Sequence, residues 1–116
     1  EVARILQARG VPDVVSIEPD VGPDGQPVYL STSGVTDQIV ARAEADGVDL
    51  GTVGVVAFAD HAVRSVMAAE ASGMTQVVVV EGIELPTEYD AESGQEWTRD
   101  RVTYLTVDLS GRLATL

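Results

Sequence analysis

The sequence predicts an α/β fold: a three-layer, mainly parallel sheet of about four to five strands, with helices on both faces. Three observations predict it. Two runs, 53–58 and 76–80, the second apolar after Gln76, have the β-branched content that strands buried on both faces require. A helical pattern lies between them, so 53–80 reads as one β-α-β unit with parallel strands. The length, 116 residues, suits one ordinary core and not two.

The elements follow in chain order. Val2, Ile5 and Leu6 stand at i, i+3 and i+4, and Gly10 follows, so 2–9 predicts a short helix. Val14, Val15 and Ile17 predict a strand over 13–18. Residues 19–27 hold Pro19, Pro23 and Pro27 with two glycines, and read as a loop. A second strand is expected at 28–32, paired with the first as an edge hairpin. Thr36 is read as the cap of a helix to Asp46, with Ile39, Val40 and Ala43 inward and Gly47 as its stop. Asp60 is read as the cap of a helix to about Ser72. Residues 85–99, with Pro86 and Gly94, predict a polar excursion. A last clear strand is expected at 102–107, and 113–116 as a short continuation.

Charge and composition exclude several functions. Asp and Glu number 19 against 7 basic residues, all Arg, for a net charge of −12. That field repels nucleic acid, so direct nucleic-acid binding by this chain alone is excluded. Without Cys there is no disulfide framework, thiolate metal site or Cys nucleophile. No apolar run approaches the ~20 residues of a membrane helix. The chain starts at Glu1 and shows no leader. The expectation is a single cytoplasmic α/β domain over 1–116, excised from something longer.

In parallel sheets, ligands lie beyond the carboxyl ends of the strands. Asp60, Glu81 and Asp108 each follow a predicted strand. Three convergent carboxylates would suit Mg²⁺, which in turn would hold phosphate; the plainer reading is caps and turns. Ser31, Thr32, Ser33 and Gly34 lead from a strand into a helix and could offer backbone N–H groups to an anion, but they lack P-loop spacing. His61 is the sole histidine. With Ser31, Ser33 or Ser65 and an Asp it would supply the residue types of a catalytic triad, though no G-x-S-x-G elbow is present. Tyr89 and Trp97 lie in the segment 84–100, which holds six acids and one Arg, and are candidates for partner binding or for capping the core.

The order of elements resembles the second RecA-like motor domain of superfamily I, UvrD-like DNA helicases. The phrases carrying the resemblance are Gly25-Gln26-Pro27-Val28-Tyr29-Leu30, Gly47-Val48-Asp49-Leu50-Gly51-Thr52-Val53-Gly54-Val55-Val56, and Arg101-Val102-Thr103-Tyr104-Leu105-Thr106-Val107-Asp108. Where that family has an ATP-contacting Arg, this chain has Ala59 and Asp60; where it has Lys-Gly-Leu-Glu, this chain has Leu109-Ser110-Gly111-Arg112-Leu113. The resemblance therefore implies a non-catalytic or degenerate module of a larger ATP-dependent helicase-like protein, with its other domains as partners. Val77 to Gly82, ending in Glu81-Gly82, is similar to a Toprim strand and implies the alternative of Mg²⁺-dependent phosphoryl transfer or nuclease chemistry. The third class is a protein-interaction or regulatory domain without chemistry.

Overall fold

The computed structural model describes all residues from Glu1 to Leu116. They cluster into two compact units, Glu1–Ser31 and Thr32–Leu116.

The first unit opens with helix α1, Val2–Ala8, which buries no side chain. Gly10, at φ 84°, takes the left-handed turn that ends it. The N–H of Val11 then reaches the Leu6 carbonyl and that of Gly10 the Gln7 carbonyl, the paired closure of a Schellman end. The strands expected at 13–18 and 28–32 do not form. A single antiparallel bridge, Val21 to Pro27, is all that survives of the hairpin. It closes a tight turn in which the Gly22 N–H donates to the Gln26 carbonyl at 2.8 Å. Prolines at 19, 23 and 27 remove three ladder donors, so β-branched residues on either side find no partner to pair with.

In the second unit, helix α2 is Thr32–Asp46, strand β1 is Thr52–Val55, helix α3 is Ala59–Ala71 and strand β2 is Gln76–Val79. A single 3₁₀ turn, Glu96–Thr98, precedes helix α4, Arg101–Thr115. The two strands are not buried on both faces as expected, since Val78 is 48% and Val79 36% exposed. The β-α-β pairing holds: β1 and β2 pair in parallel, with Thr52 opposite Gln76 and Val55 opposite Val79. Nothing else joins them, so the sheet has two strands. The expected three-layer sheet of four to five strands, and the Rossmann-like or RecA-like layout that went with it, are therefore corrected. The chain is helical with one short parallel pair.

Two of the expected strands are lost in the first unit, and the third to α4, which occupies the span where a last strand was expected. Val102, Thr103 and Val107 give that span the β-branched content of a strand. Asp100 overrides it, because its carboxylate accepts the Thr103 N–H at 2.9 Å and the Thr103 hydroxyl at 2.7 Å, capping a helix. Tyr104 and Asp108, one turn apart, then face inward, while Thr106 between them, which a strand would put on the same face, is exposed.

α2 also begins earlier than expected, at Thr32. Thr36 is no cap; it is buried one turn in. Its hydroxyl makes hydrogen bonds with the Ser33 carbonyl at 2.9 Å and with the Ser72 hydroxyl at 2.7 Å, which in turn donates to Asp37. That chain of hydroxyls ties α2 to the end of α3. The apolar core is small: Ala43, Ala62, Ala68, Ala69, Met74 and Tyr104. Four alanines let the helices approach closely but remove little apolar area from water.

Candidate functional site

The buried face of α4 meets the first turns of α3, and polar groups dominate the junction. Asp108 is 1% exposed, the most completely buried large side chain of the chain. Burying a carboxylate is costly unless it is paired. Arg112, one turn further along α4, supplies that pairing, with Nε 2.6 Å from Oδ2. The other oxygen, Oδ1, has no hydrogen bond. It faces His61 Nδ1 at 3.6 Å and Arg64 Nη1 at 3.9 Å, both on α3.

His61 stands between two elements. Its Nδ1 faces Asp108, and its Nε2 lies 3.4 Å from the Thr32 hydroxyl at the start of α2. Burial, and then the charge of Arg64, hold the imidazole pKa below its ordinary 6.5; Asp108 opposes them only in part. The ring is therefore neutral at neutral pH, and its contact with Asp108 is not an ion pair there. Arg64 lies across α4 at Gly111. A Cβ on Gly111 would come within 2.5 Å of the Arg64 guanidinium carbon, so the absent side chain makes the slot that Arg64 fills.

An aromatic group covers this junction. Phe58 packs edge-on to Tyr89 at 4.7 Å and to Tyr104 at 6.2 Å, and Tyr104 meets the His61 ring at 6.1 Å. The Tyr104 hydroxyl is buried without a partner. Burial, with the nearby Asp108 charge, pushes its pKa up to about 12. Tyr89 donates its hydroxyl to Asp60 at 2.8 Å, and burial followed by that bond pushes its own pKa up to about 12. Arg101 grips both Asp60 oxygens, at 2.9 and 3.1 Å. That fork, with the Tyr89 bond, keeps the Asp60 carboxyl below the ordinary carboxylate range.

The residues singled out from the sequence are only partly brought together. Asp60, Glu81 and Asp108 make no metal cage: no group of three or more His, Cys, Asp or Glu side chains is gathered for an ion. Asp60 is engaged by Arg101 and Tyr89, Asp108 by Arg112, and Glu81 is exposed. Of Ser31, Thr32, Ser33 and Gly34, Ser31 ends the first unit and the other three open α2, where Thr32 meets His61. Ser65 is turned to its own helix, donating to the His61 carbonyl. Tyr89 faces inward and Trp97 sits half-buried in the 3₁₀ turn. Sequence reasoning missed Arg64, Tyr104 and Arg112. The signal was present in the spacing of Tyr104, Asp108 and Arg112, four apart, but it is visible only once 101–115 is read as a helix.

α4 has a second face. Val102, Leu105, Leu109 and Leu113 follow one another along the outside of the helix and are exposed, Val102 by 77% and Leu113 by 63%. The hydroxyls of Thr106 and Ser110 beside them bond back to carbonyls of the same helix. No helix is long and apolar enough to cross a membrane. Compared with known proteins, the chain matches no family model, and no curated protein or solved structure matches it.

Proposed function

We propose that this chain is a protein-interaction module whose contact face is the outer stripe of α4. One observation carries the reading: Val102, Leu105, Leu109 and Leu113 form a continuous exposed apolar stripe along a capped helix. Full burial of a Val or Leu is worth roughly 1.5–3 kcal/mol and these side chains forgo part of it, Leu105 the least; a contiguous patch of that kind marks a binding surface. Charge supports it. The only acid within α4 is Asp108, which is buried, so this stripe carries no exposed carboxylate in a chain of net charge −12.

The simplest occupant is a second copy, since a helix stripe can pair with itself about a two-fold axis. Fifteen residues give a helix about 22 Å long, which makes a small interface and a Kd on the order of micromolar. Sedimentation of the full chain over a concentration series tests this. A monomer–dimer equilibrium that Leu109→Glu abolishes, with the helical circular-dichroism signal unchanged, is the expected result. A monomer at every concentration, or a dimer indifferent to Leu109→Glu, overturns it.

A further inference from the structure

We propose that Thr32, His61 and Asp108 form a nucleophile, base and positioning group for acyl transfer, with a small ester as substrate. The three residues come from three helices, and their atoms line up in the required order. The Thr32 hydroxyl is 3.4 Å from His61 Nε2, and His61 Nδ1 is 3.6 Å from Asp108 Oδ1. These distances are longer than tight hydrogen bonds, as is common for such groups before substrate closes on them. Arg112 fixes Asp108 through Oδ2, which leaves Oδ1 and His61 Nδ1, both buried and neither hydrogen-bonded, facing each other.

Protonation favours the same roles. The groups facing His61 are Thr32 from α2, Arg64 from α3, and Tyr104, Asp108 and Arg112 from α4. Burial and the two arginines keep the imidazole neutral, the form that accepts a proton. Thr32 is the first residue of α2, and the N–H of Ser33 after it lies in the first turn, where no carbonyl of the same helix can accept it. It is a donor for a developing oxyanion.

The step balances with water as the co-reactant. The Thr32 oxygen bonds to the ester carbonyl carbon while its proton passes to His61 Nε2. The bond to the alkoxide leaving group breaks, and His61 returns the proton to it, releasing an alcohol. Water, deprotonated by His61, then attacks the acyl carbon; the bond to the Thr32 oxygen breaks and His61 returns the proton to it, giving a carboxylic acid and the free hydroxyl.

The test uses p-nitrophenyl acetate with the full chain. Expected are release of p-nitrophenol and, in peptide mass spectra, one acetyl group on Thr32. Thr32→Ser keeps activity; Thr32→Ala and His61→Gln each lower it by at least about 100-fold. The rate rises with pH along a limb centred below 6.5, the ordinary value for His61. Asp108→Asn moves that limb to lower pH, because the carboxylate favours the charged ring; a limb left in place overturns the positioning role of Asp108. Turnover undiminished in Thr32→Ala or His61→Gln overturns the proposal. If Thr32→Ala does not fold by circular dichroism, the wild-type chain decides: acetyl on Thr32 supports the assignment, and acetyl elsewhere or nowhere overturns it.

Discussion

The two faces of α4 reverse the usual distribution of residues. Its buried positions are Asp108 and Tyr104, a charge and a phenol, while Val102, Leu109 and Leu113 stand in water. An ordinary surface helix buries its apolar stripe and exposes its charges. Here the inner face is ordered by pairing: Arg112 and Arg64 from two helices converge on one carboxylate. The outer face has no such partner within the chain. The difference teaches that α4 gives its inner face to Tyr104 and a paired carboxylate and leaves Val102, Leu109 and Leu113 exposed. A buried ion pair is a weak source of stability but costly to break on one side only.

The largest effect should come from the inner face. Asp108→Ala leaves Arg64 and Arg112 without their shared carboxylate and should cost about 3–5 kcal/mol in denaturant unfolding. A loss below about 1 kcal/mol would mean that α4 is held by something other than this pairing.

Gly111→Ala should cost less, about 1–2 kcal/mol, because the new Cβ displaces the Arg64 guanidinium from its slot. The pair with Arg64→Ala sharpens the point. With Arg64 truncated, the same Gly111→Ala change should stabilise by about 0.5–1 kcal/mol, the ordinary gain of Ala over Gly in a helix. A cycle without this reversal would separate Gly111 from Arg64.

Acid should weaken the inner face in two stages. The folded pKa of His61 lies below 6.5, so folded protein resists the proton that the unfolded chain accepts. Stability is full above 6.5 and falls as pH drops through the window between the two values. Asp60 has its pKa held below 3.8, so its contribution is intact above 3.8 and is lost only in stronger acid. His61→Gln should flatten the first stage and leave the second, as read from chemical unfolding across that pH range.

The outer face should matter least to the fold. Leu109→Glu or Leu113→Glu should change unfolding free energy by within about 0.5 kcal/mol while removing self-association. A large loss of stability from either would show that the stripe is already packed within the chain.

Particular residues show how far the sequence was legible. The strands at 52–55 and 76–79 and the helix between them were readable, because a run such as Gln76-Val77-Val78-Val79 carries its preference locally. α3 is legible too, but its cap is Phe58 and Asp60 lies inside the first turn, so the helix begins two residues earlier than the sequence reading has it. The first-unit strands failed because pairing needs a second segment at the right register, and local preference cannot supply one. α4 failed for the opposite reason. Val102 and Val107 spoke for a strand, and the one residue deciding otherwise was Asp100, whose capping carboxylate lies just outside the pattern.

For the site, the sequence offers His61 as a triad histidine beside Ser31, Ser33 or Ser65, Thr32 as part of an anion loop and Asp108 as a metal ligand. Their meeting through His61 joins positions 32, 61 and 108, a separation that no local spacing encodes.

The sequence by itself determined the acid-rich, Cys-free composition, the parallel β-α-β unit and the helix stops at Gly10, Gly47 and Gly73. Each rests on a residue's own chemistry or on neighbours a few positions away. Only the tertiary structure decided which face of α4 turned inward. That choice depends on Arg64 crossing Gly111 and on Asp108 meeting Arg112, His61 and Arg64 together. Charges buried between helices interact over a few ångströms of space, and the length of chain between them does not enter.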